Sequence, residues 1–330
     1  MPRERKLTID EIAQALGVSK TTVSRAISGK GRVSEETKMR VMEYMRAAGT
    51  RPRTHHSPEQ SHNLALVIPS HFIQLDLPFL RKCMGGVCRM AAQRGYDVLL
   101  CFADAQNTEQ LERQLAAGKV DGVILSRTLK QDPCMDLLKK YATPFVVLGH
   151  HDDPAVLQVD NNQAAAAAEL TRLLLQIGIR RIAYMGGSLN YTVNAARLAG
   201  YREALAEAGI PAMPELMYSD VESDEKRVDD LEAALEQKPE CLLCCDDNMA
   251  FAVMQDLKNR GIRVPEDIRL ASLYDSELLA STQPGITAIQ FDAAALGAAA
   301  CRLLLDSMAG KPVTTRIVHG HQLILRGSTK

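Results

Sequence analysis

From residue 64 onward, short and almost wholly apolar runs alternate with amphipathic helical stretches, and the pattern occurs twice. Leu64–Pro69, Val98–Ala103, Gly122–Ser126 and Phe145–Leu148 read as strands, with helical periodicity at Phe79–Arg94, Thr108–Ala117 and Met135–Tyr141 between them. A second series places strands at Ile182–Met185, Leu216–Tyr218, Cys241–Cys245 and Leu270–Leu273. Its helices fall at Ala164–Ile177, Arg197–Ala208, Lys226–Gln237 and Met249–Arg260. A strand that is apolar on both faces must be covered on both faces, which is the condition of a parallel sheet with helices above and below. Two such series exceed one comfortable sheet, so the reading is α/β, with two doubly wound parallel sheets. Strands at Ala288–Phe291, Arg316–Val318 and Leu323–Leu325, around a helix at Ala294–Met308, are expected to cross between the two units.

The first fifty residues are built differently. Thr8 can cap a helix from Ile9 to Leu16, whose apolar positions Ile9, Ile12, Ala13 and Leu16 follow a helical stripe that Gly17 ends. Ser19 caps a second helix to about Ile27, Gly29-Lys30-Gly31 breaks it, and Ser34 caps a third that Gly49 closes. Two short helices joined by a glycine turn, the second rich in small hydroxyls and ending in Arg25, form a helix-turn-helix. Ser19, Thr22 and Ser24 are short enough to let a backbone approach phosphates, while Lys20, Thr21 and Arg25 can reach base edges. Charge supports this. The chain as a whole is near neutral at −1, yet residues 1–62 hold 12 basic and 7 acidic side chains, and clustered Lys and Arg are what drive phosphate binding. Residues 50–63 contain no aliphatic or aromatic side chain and two prolines, the composition of a linker.

With 46% apolar and 24% charged residues, the chain is no disordered polymer. No apolar run approaches the ~18 residues needed to span a bilayer, and no secretory signal precedes the head, so a cytoplasmic location is expected. The eight cysteines lack framework spacing and read as reduced and buried. Cys241 and Cys244 would point to opposite faces of a strand, which disfavours a shared metal or a disulfide. His150-His151-Asp152-Asp153 has metal-ligand residue types but reads as a solvated turn. No cofactor or metal is expected, and no nucleophilic or phosphate-cradling motif suggests an enzyme.

Several ordered motifs resemble the lactose-repressor and galactose-repressor family of bacterial transcription regulators. In the head these are Leu7-Thr8-Ile9-Asp10-Glu11-Ile12-Ala13, Gly17-Val18-Ser19-Lys20-Thr21-Thr22-Val23-Ser24-Arg25 and Val33-Ser34-Glu35-Glu36-Thr37. In the body they are Val120-Asp121-Gly122-Val123-Ile124, Val159-Asp160-Asn161, Arg180-Arg181-Ile182-Ala183-Tyr184, Arg197-Leu198-Ala199-Gly200-Tyr201, Asp246-Asp247-Asn248-Met249-Ala250 and Val264-Pro265-Glu266-Asp267. The resemblance implies a homodimer whose heads bind a pseudo-palindromic operator, and a periplasmic-binding-protein-like body with an effector between two lobes. The expected organisation is a DNA-binding head at 1–50, a hinge at 51–63 and an effector and dimerisation body at 64–330. Within that body, lobe one takes about 64–160 plus 292–319 and lobe two about 161–291 plus 320–330.

Residue by residue, the DNA-contacting set is Thr8, Ser19, Lys20, Thr21, Thr22, Ser24, Arg25, Arg51 and Arg53. The effector set is Phe79, Asp160, Arg197, Asp247, Tyr274 and Phe291. Arg197, opening its helix, could aim its fork at hydroxyls or a carboxylate, and Asp247 could accept two hydroxyl bonds or merely cap a helix. Phe72, Ser126, His150 and Tyr191 lie on loops after strands or at a strand's end and are further candidates. Gly149 stands where several family members carry an acidic ligand residue. Few aromatics and no Trp favour a polar effector, of the sugar kind, held mainly by hydrogen bonds. The linker departs from the family: Arg53-Thr54-His55-His56-Ser57-Pro58-Glu59-Gln60 lacks the usual Leu wedge, and Pro58 opposes a hinge helix. The function expected is an effector-controlled repressor. An activator of the same architecture, or a sugar-binding or sugar-metabolising protein with an accessory head, remain the alternatives.

Overall fold

The computed structural model describes residues 9–28, 33–47, 60–70, 78–126 and 128–330, and the chain divides into two compact units, 1–61 and 62–330. The smaller unit consists of α1 (Ile9–Leu16), α2 (Lys20–Ser28) and α3 (Glu35–Ala47). Ile12, Ala13, Val23, Ala26 and Val41 form its core. Both expected serine caps are made: Ser19 Oγ accepts from the Thr22 amide at 3.0 Å and Ser34 Oγ from the Thr37 amide at 3.2 Å. Gly17, at φ +64°, lets the chain leave α1. The Arg40 guanidinium donates to the Leu16 carbonyl, placing a cation at the carbonyl end of that helix. The expected cap at Thr8 and the hinge over 51–59 lie outside the described residues.

The larger unit contains two six-stranded sheets. The first is ordered β11-β5-β4-β3-β1-β2, from β1 (Asn63–Ile68), β2 (Asp97–Phe102), β3 (Gly122–Ser126), β4 (Phe145–Leu148), β5 (Gln158–Asp160) and β11 (Arg316–Val318), all parallel. The second is ordered β12-β10-β9-β8-β6-β7, from β6 (Ile182–Met185), β7 (Met217–Tyr218), β8 (Cys241–Cys244), β9 (Arg269–Ser272), β10 (Thr287–Phe291) and β12 (His321–Ile324). There, only β12 runs antiparallel to its neighbour. The helices of lobe one are α4 (Pro78–Gln93), α5 (Glu109–Ala116), α6 (Pro133–Tyr141) and α12 (Ala293–Met308). Those of lobe two are α7 (Gln163–Gln176), α8 (Thr192–Glu207), α9 (Asp224–Glu236), α10 (Asp247–Asn259) and the short α11 (Glu277–Ala280). The chain therefore passes between the lobes three times, at 160–163, 291–293 and 318–321.

Burial on both faces follows from the period-two alternation of side chains. Leu64, Leu66 and Ile68 of β1 enter one core, while Ala65 and Val67 enter the core behind the sheet. In β8, Cys241 and Leu243 face one side and Leu242 and Cys244 the other, so Cys241 and Cys244 do not meet. Small residues let helices touch. A Cβ at Gly86 would lie 2.0 Å from the Ala294 carbonyl oxygen of α12, and one at Gly200 equally close to the Ala164 carbonyl oxygen of α7.

Three local expectations need correction. The stretch read as a strand from Leu216 begins as a 3-10 turn, Pro214–Leu216, leaving a two-residue strand, because the Leu216 amide donates within the turn to the Met213 carbonyl at 3.0 Å. Helix α8 starts at Thr192, not Arg197, since Tyr191 enters it extended with no side-chain cap to mark the start. Arg197 thus sits in the second turn. Asp246, not Asp247, is the cap of α10, accepting from the Met249 amide at 2.9 Å.

Candidate functional site: a cleft between two lobes and a helix-turn-helix head

Parallel strands deliver their carboxyl ends, and the helices that follow deliver their N-termini, to one side of each sheet. Here the two sides face one another. The starts of α4, α7, α8 and α10 all line a cleft of about 200 Å³, through residues that include Pro78, Phe79, Gln163, Thr192, Val193 and Asp247. Leu80, Leu148 and Leu296 supply apolar wall, and Gly149, His150, Asp160, Asn161, Tyr274 and Arg316 complete much of the rest.

The polar groups in the cleft are unevenly satisfied. Arg197 is only 7% exposed; its Nε donates to Gln163 at 2.9 Å, and no carboxylate among the described residues pairs with it. Asp247 is 2% exposed and its Oδ2 has no hydrogen-bond partner among the described residues. Burial raises this carboxyl above the ordinary Asp range; the Asp246 charge pushes the same way and the nearby Ser276 hydroxyl against it. Asn161 Oδ1 and His150 Nδ1 are likewise buried and unpartnered, while His150 Nε2 lies 3.1 Å from Asp152. Asp160 is different: its Oδ2 already receives the Arg316 guanidinium at 2.9 Å. It lines the cleft, with its charge largely spent on holding β11 beside β5.

Of the six expected effector residues, five line this cleft: Phe79, Asp160, Arg197, Asp247 and Tyr274. Phe291 does not. It is buried behind Tyr274, the two rings parallel at 6.4 Å, and Tyr274 in turn meets Phe79 edge-on at 5.6 Å across the lobes. Phe291 therefore props the ring that lines the cleft. Burial, and next the Asp247 charge, raise the Tyr274 hydroxyl above its ordinary range. His150 lines the cleft, whereas Ser126 turns its hydroxyl to the Val67 carbonyl and Phe72 lies outside the described residues. Thr128, Gln163, Thr192 and Arg316 are lining residues that no motif announced, and Asn161 lies in a motif without having been singled out; Arg316 stands 156 positions from its partner Asp160.

In the head, Lys20, Thr21 and Arg25 are exposed on α2, as a groove-reading helix requires. Lys20 Nζ rests 2.8 Å from Asp10, a solvent-exposed pair that a phosphate or base can displace at little cost. Ser19 and Thr22 hold one another at 2.8 Å at the start of the helix, and Ser24 is half-buried. Thr8, Arg51 and Arg53 lie outside the described residues.

Comparison with known proteins decides the family. Residues 8–52 match the model of bacterial regulatory proteins of the lacI family, and residues 171–329 match a periplasmic binding protein-like domain. The HTH-type transcriptional regulator AscG of Escherichia coli (strain K12) is 30% identical over 301 residues, covering 86% of each chain. The chain belongs to the LacI family. Like the other members of that family it is a DNA-binding transcriptional regulator, not an enzyme. The HTH-type transcriptional regulator CelR of Thermobifida fusca is 29% identical over 340 residues, spanning 99% of this chain and all of that one. A solved structure of a CelR–cellobiose complex superposes with a TM-score of 0.77 at 27% identity, covering 98% and 100% of the two chains. Among the described residues, no helix of this family member is long and apolar enough to cross a membrane.

Proposed function

We propose that this regulator is a cytoplasmic repressor that grips operator DNA as a homodimer and changes its grip when a small carbohydrate enters the cleft. One observation carries the ligand: among the described residues the buried Asp247 carboxylate has an oxygen without a partner, in the same cleft as Arg197, with which no described carboxylate pairs. A buried charge with neither counter-ion nor full hydrogen bonding is unfavourable. Sugar hydroxyls answer both groups at once, donating to the carboxylate and accepting from the guanidinium. Phe79 and Tyr274 offer ring edges and faces to the C–H surface of a sugar. The relative CelR, solved with cellobiose, supports this class of ligand.

DNA contact falls to Lys20, Thr21 and Arg25 for bases, with Ser19, Thr22 and Ser24 at phosphates; Thr8, Arg51 and Arg53 are proposed to join them on the backbone. Rotation of the lobes by ligand would alter the separation of the two heads, which specific binding needs near ~34–36 Å.

The test is a mobility-shift titration of the full chain on its own upstream DNA at several salt concentrations, with and without sugars. Lys20→Ala should relax sequence preference while leaving sugar binding intact, and Asp247→Asn should do the reverse. Absence of any specific complex at low salt overturns the reading, as does a strictly monomeric protein in sedimentation.

A further inference from the structure

The carbohydrate reading leaves open which arrangement of the lobes the ligand favours, and a set of bonds between the lobes bears on it. The three chain crossings start from β5, β10 and β11, and β5 and β10 neighbour the edge strands β11 and β12. Beyond β3, two strands in from β5, the loop of lobe one meets the entry to α8, which follows β6, three strands in from β10. The Thr192 amide donates to the Thr128 carbonyl at 3.1 Å, and the Lys130 amide to the Asn190 carbonyl at 3.0 Å. Between these, Leu129 and Tyr191 form an antiparallel bridge. The Leu129 amide is held in turn by Asp132, the cap of α6, so the lobe-one half moves with its lobe. This is a strap of main-chain bonds tying lobe to lobe, away from the crossings. Crossings alone let the lobes turn; the strap fixes the angle. With strands about 4.8 Å apart it stands about 10–14 Å from the crossings, so a turn of about 5° stretches its bonds by about 1 Å and breaks them.

Resting on the carbohydrate reading, we infer that the strap is a latch which the sugar releases: strapped lobes hold the heads for operator binding, and the sugar, acting as an inducer, lets them turn. Thr128 and Thr192 line the cleft. Their hydroxyls lie 3.1 Å apart, and Thr192 Oγ1 reaches the Thr128 carbonyl at 3.3 Å. Both distances exceed the roughly 2.7–2.8 Å of a good O–H···O bond. A sugar hydroxyl in the cleft meets these two groups and can bond them better than they bond each other. Leu129 and Tyr191 line a separate small cavity instead. Two main-chain bonds bias the lobes toward the strapped angle by roughly 5–150-fold, a preference that a ligand's differential affinity can reverse. Only a fixed angle keeps two heads at one spacing, so the strapped arrangement is the one that grips DNA.

The latch can be locked and it can be cut. Flanked by the two main-chain bonds, Leu129 and Tyr191 are a non-hydrogen-bonded antiparallel pair, whose Cα atoms lie about 4.5 Å apart, within reach of a disulfide. Leu129→Cys/Tyr191→Cys therefore locks the strap when oxidised, outside the cleft, and dithiothreitol unlocks it in the same protein. Thr192 is the first residue of α8, where proline is favoured, and Tyr191 before it is extended at φ −77°, ψ 128°. Thr192→Pro removes both the amide and the hydroxyl that reach Thr128. The probe is whichever of D-glucose, D-galactose, D-ribose, cellobiose, maltose and lactose binds best in calorimetric titration of the full chain; operator affinity is read by mobility shift on its own upstream DNA. In the unaltered protein saturating sugar should weaken operator binding by about tenfold or more. In the oxidised double variant that response should fall below about twofold, and the sugar should bind about tenfold more weakly than after reduction, as linkage requires. Unaltered protein under the same oxidation controls for the exposed native Cys88. Thr192→Pro without sugar should bind operator about tenfold more weakly than the unaltered protein. A sugar that binds but tightens operator binding, or leaves it unchanged, overturns the inference while the carbohydrate reading stands. So does an oxidised double variant that responds like the reduced one, or a folded Thr192→Pro with full operator affinity. If no sugar binds, the underlying reading fails and the inference with it. Either variant decides alone should the other not fold.

Discussion

Asp247 sets stability against ligand binding, and Asp247→Asn should separate the two. In the ligand-free protein the carboxylate is 2% exposed with one oxygen unpartnered. Leaving a buried acceptor unsatisfied costs on the order of 1–3 kcal/mol. Asparagine removes the charge but brings two amide hydrogens that need partners, so the net gain should be about 1 kcal/mol. For a folding unit of this size that amounts to a rise of about 2 °C in melting temperature. Binding should move the other way. A hydroxyl–carboxylate bond contributes roughly 1.5–3 kcal/mol and a neutral one roughly 0.5–1.5, so each bond converted weakens a sugar by about 1–2 kcal/mol, or about 5–30-fold in Kd. The pH dependence follows from the direction of the shift. Burial raises the folded carboxyl above its unfolded value of about 3.9, so its contribution to stability is full below that value and is lost as pH rises through the raised folded one. The advantage of Asp247→Asn should therefore be largest at neutral pH and shrink on acidification. Differential scanning fluorimetry with and without the best-binding sugar, at neutral pH and near pH 4, reads both effects. A variant that melts below the unaltered protein at neutral pH, or that binds the sugar equally well, refutes the argument.

Other expectations follow from the geometry. Lys20→Ala should cost no measurable stability, since its pair with Asp10 is exposed, yet reduce specific operator affinity by roughly 1–3 kcal/mol in a competition mobility shift. Gly200→Ala should destabilise the body by more than about 3 kcal/mol in a urea melt, because the added methyl meets the Ala164 carbonyl and α8 must part from α7. Arg326→Ala should cost about 3–5 kcal/mol in the same assay: the guanidinium holds the buried Asp275 at 2.6 and 2.9 Å and also bonds the Ile286 carbonyl.

The two-sheet architecture was legible because the central strands β1, β3, β6 and β8 are apolar on both faces, a pattern that few other folds can use. Ser19 and Ser34 were legible as caps for a local reason, a small hydroxyl three residues before a free amide. Arg197 and Asp247 were found through motif resemblance; their chemical state was not, because the missing partner of Asp247 depends on which neighbour caps α10. Asp246 and Asp247 are adjacent acidic residues, and only backbone geometry decides between them. Arg316 and Thr192, whose amide donates to the Thr128 carbonyl across the lobes, escaped for a different reason. Their partners are far away in the chain, joined by tertiary contacts that leave no periodic trace. Phe291 misled because a strand-end aromatic beside the cleft and one that supports the cleft share the same sequence signal.

The threefold passage between lobes bears on how the protein comes into being. Lobe one lacks α12 and β11 until residues 293–318 have been made, and lobe two lacks its antiparallel edge until β12 follows. Until then the face of α4 around Gly86 lacks the α12 backbone that packs on it, and Phe291 has no His321 beside it. Both halves must therefore mature together, once residues 293–324 have been made. A nascent chain halted before residue 293 would present bare apolar surface to chaperones and proteases while already displaying a finished amino-terminal DNA reader.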